Sequence, residues 1–446
     1  MSKPQTTQNQ DDIQIVDDGT PTASHHKFVP KLLTDYSEKQ TLTVKYWFDP
    51  KEIDSSGQLR KDIDKTLELS CHIYDEVLHF IKENHTCGIK KIHDGTYDNL
   101  KKFADENKFP TAYIQTIRDD CRRDMKSWNS NHSDKRWQLD SKRKKTASVA
   151  LDRRTLTFKH DRMEVTVSKI GKRFKAALDP RDAEWFFKRH ENLAFDMDAK
   201  AGRLGKKLKH GKWCYYIAIS YRYTPAVPRF DPLSNKVKGI DRGMCEPFVT
   251  SDGDVAPSAK DDHAISRKYA YNAANLKAKG TKSARRKLRL LSGKKVRFSQ
   301  DCARRYAHEI LGDMNPGDVL VVEDLTGINA NTIARYEHSA EYNRRHSAWN
   351  HAELLSELVS LAFQRSVFVV AVDPAYSSQE CPRCGFVSGE NRLLGGFECH
   401  SCGFVGYADA CAALVIRGRG YVALLDCLPA KYWKQGDVKL PNEVFA

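Results

Sequence analysis

The chain has 446 residues and carries 73 basic against 58 acidic side chains, which gives a net charge of +15. With 40% hydrophobic and 10% aromatic residues it is typical of a folded protein with room for roughly two to four domains. So basic a chain favours a polyanionic partner, most often nucleic acid, with an anionic membrane surface as the competing partner. No run of about 18 apolar residues occurs, which argues against a membrane span.

The cysteines and the first residues indicate an intracellular protein. Of 12 cysteines, four form two close pairs, and the other eight lack the spacing of a disulfide framework. The opening segment MSKPQTTQNQDDIQ has no apolar core of a signal peptide. We therefore expect a soluble intracellular protein with no membrane partner.

The first half of the chain predicts a β-rich domain that a helical insert interrupts. Residues 1–35 are polar and without periodicity, which favours a disordered leader. Apolar residues recur at helical spacing from Lys61 to about Trp128. Apolar and polar residues alternate as in strands in three other stretches, Gln40–Phe48, Leu156–Leu178 and Trp213–Arg222. We predict a β domain formed by residues 36–60 and 130–225 and a helical insert of residues 61–129.

Two stretches are strongly basic. Lys135–Lys145 surrounds Trp137 with basic residues, among them Lys142 and Arg143. A solvated loop explains any one of these side chains, whereas the cluster suits phosphate contact, with Trp137 stacking on a base. Lys268–Leu311 predicts a long helical segment that is almost entirely of one charge sign. A solvated helix face is the alternative, but we expect nucleic-acid contact through residues that include Lys282, Arg285, Arg286 and Arg289.

The second half predicts an α/β domain around a central sheet. A short strand ends in Asp241, and a continuous apolar run, Asp318–Glu323, predicts a buried strand that ends in Glu323. A helix from about His351 to Gln364 and another apolar strand, Val367–Val372, follow. Strands that alternate with helices are typical of α/β domains.

Four cysteines have the spacing of a zinc site. Two C-x-x-C pairs, each followed by glycine, can supply four thiolates to one tetrahedral zinc ion: Cys381, Cys384, Cys399 and Cys402. Two unrelated cysteine pairs, or two disulfides, are the alternatives.

Three acids can form a second metal site. Asp241 and Glu323 each close a strand, and Asp409 enters a helix after the cysteines. Acids at strand ends of an α/β sheet converge at one edge, where Mg²⁺ or Mn²⁺ would relieve their repulsion and two such ions could cleave a phosphodiester. The alternative for each acid alone is a helix cap or an ion pair, such as Asp241 with Arg242.

Four motifs in this order resemble the TnpB family, whose members are encoded by bacterial and archaeal insertion sequences and resemble presumed ancestors of type V CRISPR effectors. They are GIDRG at 239–243, VVEDL at 321–325, VDPAYSSQECPRCG at 372–385 and DACAA at 409–413. The match spans roughly residues 236–416. Upstream, the similarity is one of architecture only.

The resemblance implies a multidomain α+β fold and a function. A β-barrel wedge domain with a helical recognition insert would precede a RuvC-like nuclease domain of RNase H fold. That domain would comprise residues 236–376 and 406–420, with a zinc ribbon at 377–405 and a tail at 421–446. Asp241, Glu323 and Asp409 would be the catalytic metal ligands of an RNA-guided DNA endonuclease.

The same resemblance implies the partners and the location. A guide RNA from the transposon end and a target DNA would bind, and the protein would be cytoplasmic and nucleoid-associated in a prokaryote. We favour a monomer. Cys411 stands where the family usually has asparagine, which affects the expected geometry of the metal site.

Three other functions are open. They are a compact type V effector guided by CRISPR RNA, a non-cleaving guided DNA-binding regulator, and a DNA-joining transposase, the name often given to such chains. The transposase is the weakest, because no tyrosine or serine nucleophile occurs in a recognisable setting.

Overall fold

The computed structural model describes residues 28–37, 40–48, 57–140, 148–191, 193–197, 201–209, 212–243, 246–257, 259–326, 351–393 and 395–434. The chain divides into two compact units. One unit is Tyr36–Ala226, and the other combines the chain up to Asp35 with the chain from Val227 onward. Across the described helices, none combines the length and apolar character that a membrane crossing needs.

The first strand of the described chain, β1 (Lys31–Leu32), is short and belongs to the second unit. The elements of Tyr36–Ala226 follow in this order: β2 (Gln40–Trp47), α1 (Gln58–Glu83), α2 (Ile89–Glu106), α3 (Ala112–Asn131), β3 (Ser148–Leu151), β4 (Leu156–Lys159), β5 (Glu164–Ser168), β6 (Arg173–Ala177), α4 (Pro180–Arg189), β7 (Ala194–Asp196), β8 (Gly202–Lys209) and β9 (Lys212–Thr224). The predicted helical stretch after β2 is confirmed as the three helices α1, α2 and α3.

Two antiparallel sheets and the three helices share one hydrophobic core in this unit. The larger sheet has the strand order β2-β9-β8-β3 with β7 on β9, and β4-β5-β6 form the smaller one. Ile63, Ile73, Val77 and Ile81 are fully buried along one face of α1, as its amphipathic pattern predicts. The buried hydroxyls of Tyr46 and Tyr221 are hydrogen-bonded at 2.7 Å across β2 and β9. The predicted closed barrel is wrong for the described residues, because their strand pairings leave both sheets open.

The second unit continues after Val227 with the remaining elements. In chain order they are β10 (Val237–Asp241), β11 (Val249–Thr250), α5 (Ala259–Lys279), α6 (Lys282–Ile310), β12 (Val319–Glu323), α7 (His351–Gln364), β13 (Phe368–Val372), β14 (Arg392–Leu393), β15 (Gly396–Glu398), β16 (Val405–Tyr407) and α8 (Ala408–Cys427). Their order confirms the alternation of strands and helices that the apolar runs predict.

The main sheet of this unit has the order β1-β13-β12-β10-β11. Its three central strands are parallel, with β11 antiparallel on one edge and β1 antiparallel on the other. Every residue of β12 and β13 is buried, as expected for parallel strands covered on both faces. Helix α8 packs closely over β10, since a Cβ added at Gly239 would lie 2.3 Å from the carbonyl oxygen of Ala413.

Two predictions for this unit need correction. The disordered leader does not extend to residue 35, because Lys31 and Leu32 pair with Ala371 and Val370 of β13; residues 1–27 lie outside the described chain. The long basic helix is two helices, since Gly280 adopts a positive φ of 61° and the Thr281 hydroxyl accepts a hydrogen bond from the amide of Ala284, which starts α6.

Candidate active site and metal centre

Asp241 and Glu323 stand side by side at the carboxyl edge of the sheet. The parallel register pairs Gly239 of β10 with Val321 of β12, and each acid lies two residues further along its strand. Glu323 is only 6% exposed, whereas Asp241 is half-buried. Adjacent parallel strands that end in acids put both carboxylates at the edge where α/β sheets bind ligands.

Asp409 brings a third negative charge to these two acids from the first turn of α8. Burial, followed by the negative charges of Glu323 and Asp409, raises the pKa of Asp241 to about 7. Burial likewise raises the pKa of Glu323, against the opposing effects of Ser377, Arg242 and Arg419. The structure therefore brings the three predicted acids into one electrostatically coupled group.

Arg242, the residue after Asp241, is almost fully buried. Its guanidinium donates to the carbonyl oxygen of Glu323 and, at 3.3 Å, to that of His351. Its positive charge lowers the pKa of both Asp241 and Glu323. The guanidinium of Arg242 thus hydrogen-bonds to the backbone of Glu323 and not to its side chain. The carboxylate of Glu323 therefore keeps an oxygen that another cation can bind.

Arg392 is a residue of the candidate site that the sequence analysis missed. It lies on β14, inside the segment that carries the cysteines, and its guanidinium is 3.0 Å from the carboxylate of Asp409. The Tyr407 hydroxyl is 3.3 Å from the other carboxylate oxygen of Asp409. No spacing rule identifies Arg392; the only signal is the surplus of three acids, which calls for a nearby cation.

The chemistry of the acid group suits a divalent cation, although among the described residues only the four cysteines already have ligand atoms close enough to share one ion. Its donors are carboxylate oxygens, the ligand type that Mg²⁺ and Mn²⁺ prefer. Burial together with like charge disfavours the ionised form of Asp241 in the absence of a cation. The residues that would hold such an ion are Asp241, Glu323 and Asp409.

The four predicted cysteines form the second candidate metal centre. Their Sγ atoms all lie within 4.8 Å of one another, with 3.7 Å between Cys381 and Cys402 and 3.6 Å between Cys384 and Cys399. A tetrahedron with zinc–sulfur distances of about 2.3 Å has edges of about 3.8 Å, so the cluster fits zinc. All four are free thiols, so they do not form the alternative pair of disulfides.

Two glycines shape the loops that carry the thiols. Gly385 and Gly403 have φ values of 74° and 67°, and their amides donate to the carbonyls of Cys381 and Cys399. Positive φ is the conformation for which glycine is the default residue. Cys411, the departure from the family pattern, is buried and belongs to the small core of this segment with Cys381 and Cys399.

The residues predicted to contact nucleic acid differ in their exposure in the structure. Trp137 is half-buried, has a positive φ of 65° and stacks on His85 at a centroid distance of 5.6 Å. Lys142 and Arg143 lie outside the described residues. The remaining four side chains are exposed in the first turns of α6: Lys282, Arg285, Arg286 and Arg289. Between α5 and α6 lies an open cavity of about 480 Å³ whose lining includes three lysines, Lys279, Lys287 and Lys294.

Comparisons with known proteins agree with this architecture. A family model described as the Cas12f1-like TNB domain matches residues 351–416. The CRISPR-associated endodeoxyribonuclease Cas12f1 of Syntrophomonas palmitatica is 28% identical over 217 residues, which cover 45% of this chain and 41% of the relative. InsQ of Escherichia coli strain K12, provisionally named an RNA-guided DNA endonuclease, is 26% identical over 230 residues, covering 48% of this chain and 55% of InsQ.

The chain thus spans about half the length of the curated relatives it matches. Among solved structures, the Cas12f1–sgRNA–target DNA complex contains a chain similar to this one, with a TM-score of 0.59, 14% identity and coverage of 85% of this chain and 99% of that one. At that identity the similarity shows the fold alone, a mixed α/β multidomain architecture. Together with the four motifs in family order, these findings show that the chain is similar to TnpB-like and Cas12f1 proteins.

Proposed function

We propose that the chain is an RNA-guided DNA endonuclease that hydrolyses DNA phosphodiester bonds with divalent metal ions. One observation supports this most strongly: Asp241 and Glu323 close neighbouring parallel strands, and Asp409 adds a third charge to the same group. The names of the similar Cas12f1 and InsQ proteins describe DNA endonucleases.

In this proposal the second unit contains a RuvC-like nuclease domain of residues 236–376 and 406–420, to whose sheet β1 adds an edge strand. Its five-stranded sheet with three parallel central strands supports an RNase H-type core. Residues 377–405 are a zinc ribbon, since they carry the four thiols. Residues 36–60 and 130–225 are the wedge domain and residues 61–129 the recognition insert. The tail predicted at residues 421–446 begins later in this proposal, because α8 continues to Cys427.

The acids would hold Mg²⁺ or Mn²⁺, and the cysteines structural zinc. When bound, the divalent metal supplies an activated water and charge stabilisation for the leaving oxygen. Arg242 fixes the backbone of Glu323, and Arg392 orients Asp409. Arg392 also brings a partly exposed positive charge to the site, where it can face a phosphate.

Guide RNA and target DNA are the proposed partners. The exposed basic residues of α6 support backbone contact, because phosphate binding needs lysine and arginine on one surface and does not depend on sequence. A compact type V effector is the second candidate, favoured by the similarity to Cas12f1. A neighbouring CRISPR array, rather than a transposon end, would distinguish it.

The proposal is tested by expressing the gene with its native flanking DNA, purifying the protein and sequencing the RNA that accompanies it. We expect one discrete RNA from the flank that ends in variable sequence. That complex should cut matching DNA in Mg²⁺, and the Asp241→Ala variant should bind the DNA without cutting it. Heterogeneous RNA, or equal behaviour of both proteins, contradicts the proposal and favours a non-cleaving regulator.

A further inference from the structure

The carboxylate of Glu323 has a partner outside the acid group. The hydroxyl of Ser377 donates to Oε1 of Glu323 at 2.7 Å, and both side chains are buried. Ser377 lies five residues beyond the end of β13, in the segment that leads to the first cysteine pair. A buried carboxylate with one fixed donor on one oxygen has its other oxygen oriented as well.

The turn that contains Ser377 is stabilised by hydrogen bonds within the turn. The carboxylate of Asp373 accepts from the amide of Ala375 at 2.9 Å, and the amides of Gln379 and Glu380 donate to the carbonyl of Tyr376 at 2.9 and 3.0 Å. Tyr376 has a positive φ of 59°, an uncommon conformation for a tyrosine. Such a residue persists where its surroundings over-determine it, often at functional sites.

Arg419 of α8 contacts both ends of the same turn. It donates at 2.6 Å to the carbonyl oxygen of Asp373, and at 2.5 Å it pairs with the carboxylate of Glu380. Asp373 directly follows β13 and Glu380 directly precedes Cys381. Arg419 therefore ties the turn to the helix that also carries Asp409, so the supports of two acids are linked.

We propose that Ser377 is a positioning residue that fixes the Glu323 carboxylate in the orientation needed to bind the divalent metal together with Asp241. This inference rests on the proposed function, because it assigns Ser377 to the metal site of that function. Groups that hydrogen-bond to metal ligands typically contribute 10–100-fold to metal affinity. A merely structural serine, satisfied by the carbonyl of Pro374 at 3.1 Å, would have no such effect.

The test measures Mn²⁺ binding to the full-length protein by electron paramagnetic resonance titration, without any cleavage step. The reference site is the Mn²⁺ binding that the Asp241→Ala variant loses. We expect Ser377→Ala to weaken that site about tenfold or more while the protein stays folded in EDTA at the assay temperature. Ser377→Thr, which keeps the hydroxyl, should restore binding, and the neighbouring Ser378→Ala should bind as the wild type does.

Each outcome decides the inference. Unchanged affinity in Ser377→Ala, equal weakening in Ser378→Ala, or absence of any Asp241-dependent Mn²⁺ site in the wild type overturns it. A weaker site that threonine does not restore also overturns it, since the hydroxyl would then not be the cause. Failure of the nuclease proposal appears separately: the wild type would bind Mn²⁺ in an Asp241- and Ser377-dependent way and yet cut no guide-matched DNA.

Discussion

Asp241 is the residue at which the proposed metal-binding role and the stability of the fold oppose each other. Its pKa is raised to about 7 by burial and by two negative neighbours, whereas the unfolded chain has the ordinary aspartate value. Because the folded pKa exceeds the unfolded one, the ionised side chain destabilises the metal-free protein. That penalty grows as the pH rises from about 4 and is complete above about 7.

We therefore expect Asp241→Asn to stabilise the protein in EDTA. At pH 8 the free energy of unfolding should rise by about 2–4 kcal/mol, since each pKa unit corresponds to about 1.4 kcal/mol. At pH 4 the gain should vanish. Denaturant unfolding at both pH values measures this change in the free energy of unfolding. A variant less stable than the wild type at pH 8 would show that ionised Asp241 does not destabilise the folded protein.

Arg392 supplies the next prediction at this scale. Arg392→Ala removes the guanidinium that lies 3.0 Å from Asp409, so Asp409 loses its orienting partner. We expect cleavage to slow at least tenfold, because a charge-assisted pair is among the strongest positioning contacts, while DNA binding persists. Arg383→Ala, an exposed arginine of the same ribbon, is the matched control. Equal rates for the two variants would exclude a role for Arg392.

At the scale of elements, the packing of α8 against the sheet decides whether Asp409 reaches the other acids. A Cβ at Gly420 would lie 2.2 Å from a methyl group of Val321 in β12, whereas a Cβ at Gly418 would meet nothing within 4 Å. Gly420→Ala should destabilise the protein by about 1–3 kcal/mol through overpacking. Gly418→Ala, in the same helix, should stabilise it by about 0.5–1 kcal/mol. Thermal melting of both variants checks the prediction, and similar effects of the two would contradict this packing.

The sequence predicts these elements unevenly, for physical reasons. Strands β12 and β13 are predictable because burial on both faces leaves continuous apolar runs. Strand β1 has two residues and a partner more than 330 residues away, so no local pattern marks it. The break between α5 and α6 had a signal, Gly280 followed by Thr281, which the run of basic charge obscured.

The residues of the candidate site also differ in how well the sequence predicts them. Asp241, Glu323 and the four cysteines follow strand ends or fixed spacing, which a sequence displays directly. Ser377 and Arg392 act on acids 54 and 17 residues away. Their contacts depend on how the turn after β13 and the ribbon fold back, which tertiary structure alone specifies.

At the scale of the whole molecule, zinc removal should act locally. A strong chelator should unfold the ribbon, because structural zinc supplies the folding energy of such segments. Hydrogen exchange should rise over residues 381–402 and stay unchanged in the sheet of β2 and β9. Cys402→Ser should lose zinc by metal analysis and Cys214→Ser, outside the cluster, should retain it. Full protection of the ribbon without zinc would contradict a structural role.

The central claim, that RNA directs this acid site to cut DNA, is tested most directly by retargeting. The protein is purified with an RNA whose variable end has been replaced by a new sequence, and plasmids that match the old or the new sequence are offered in Mg²⁺. We predict that only the newly matched plasmid is cut and that Asp241→Ala abolishes the cut. Cleavage that ignores the RNA sequence, or that survives in Asp241→Ala, would contradict the account.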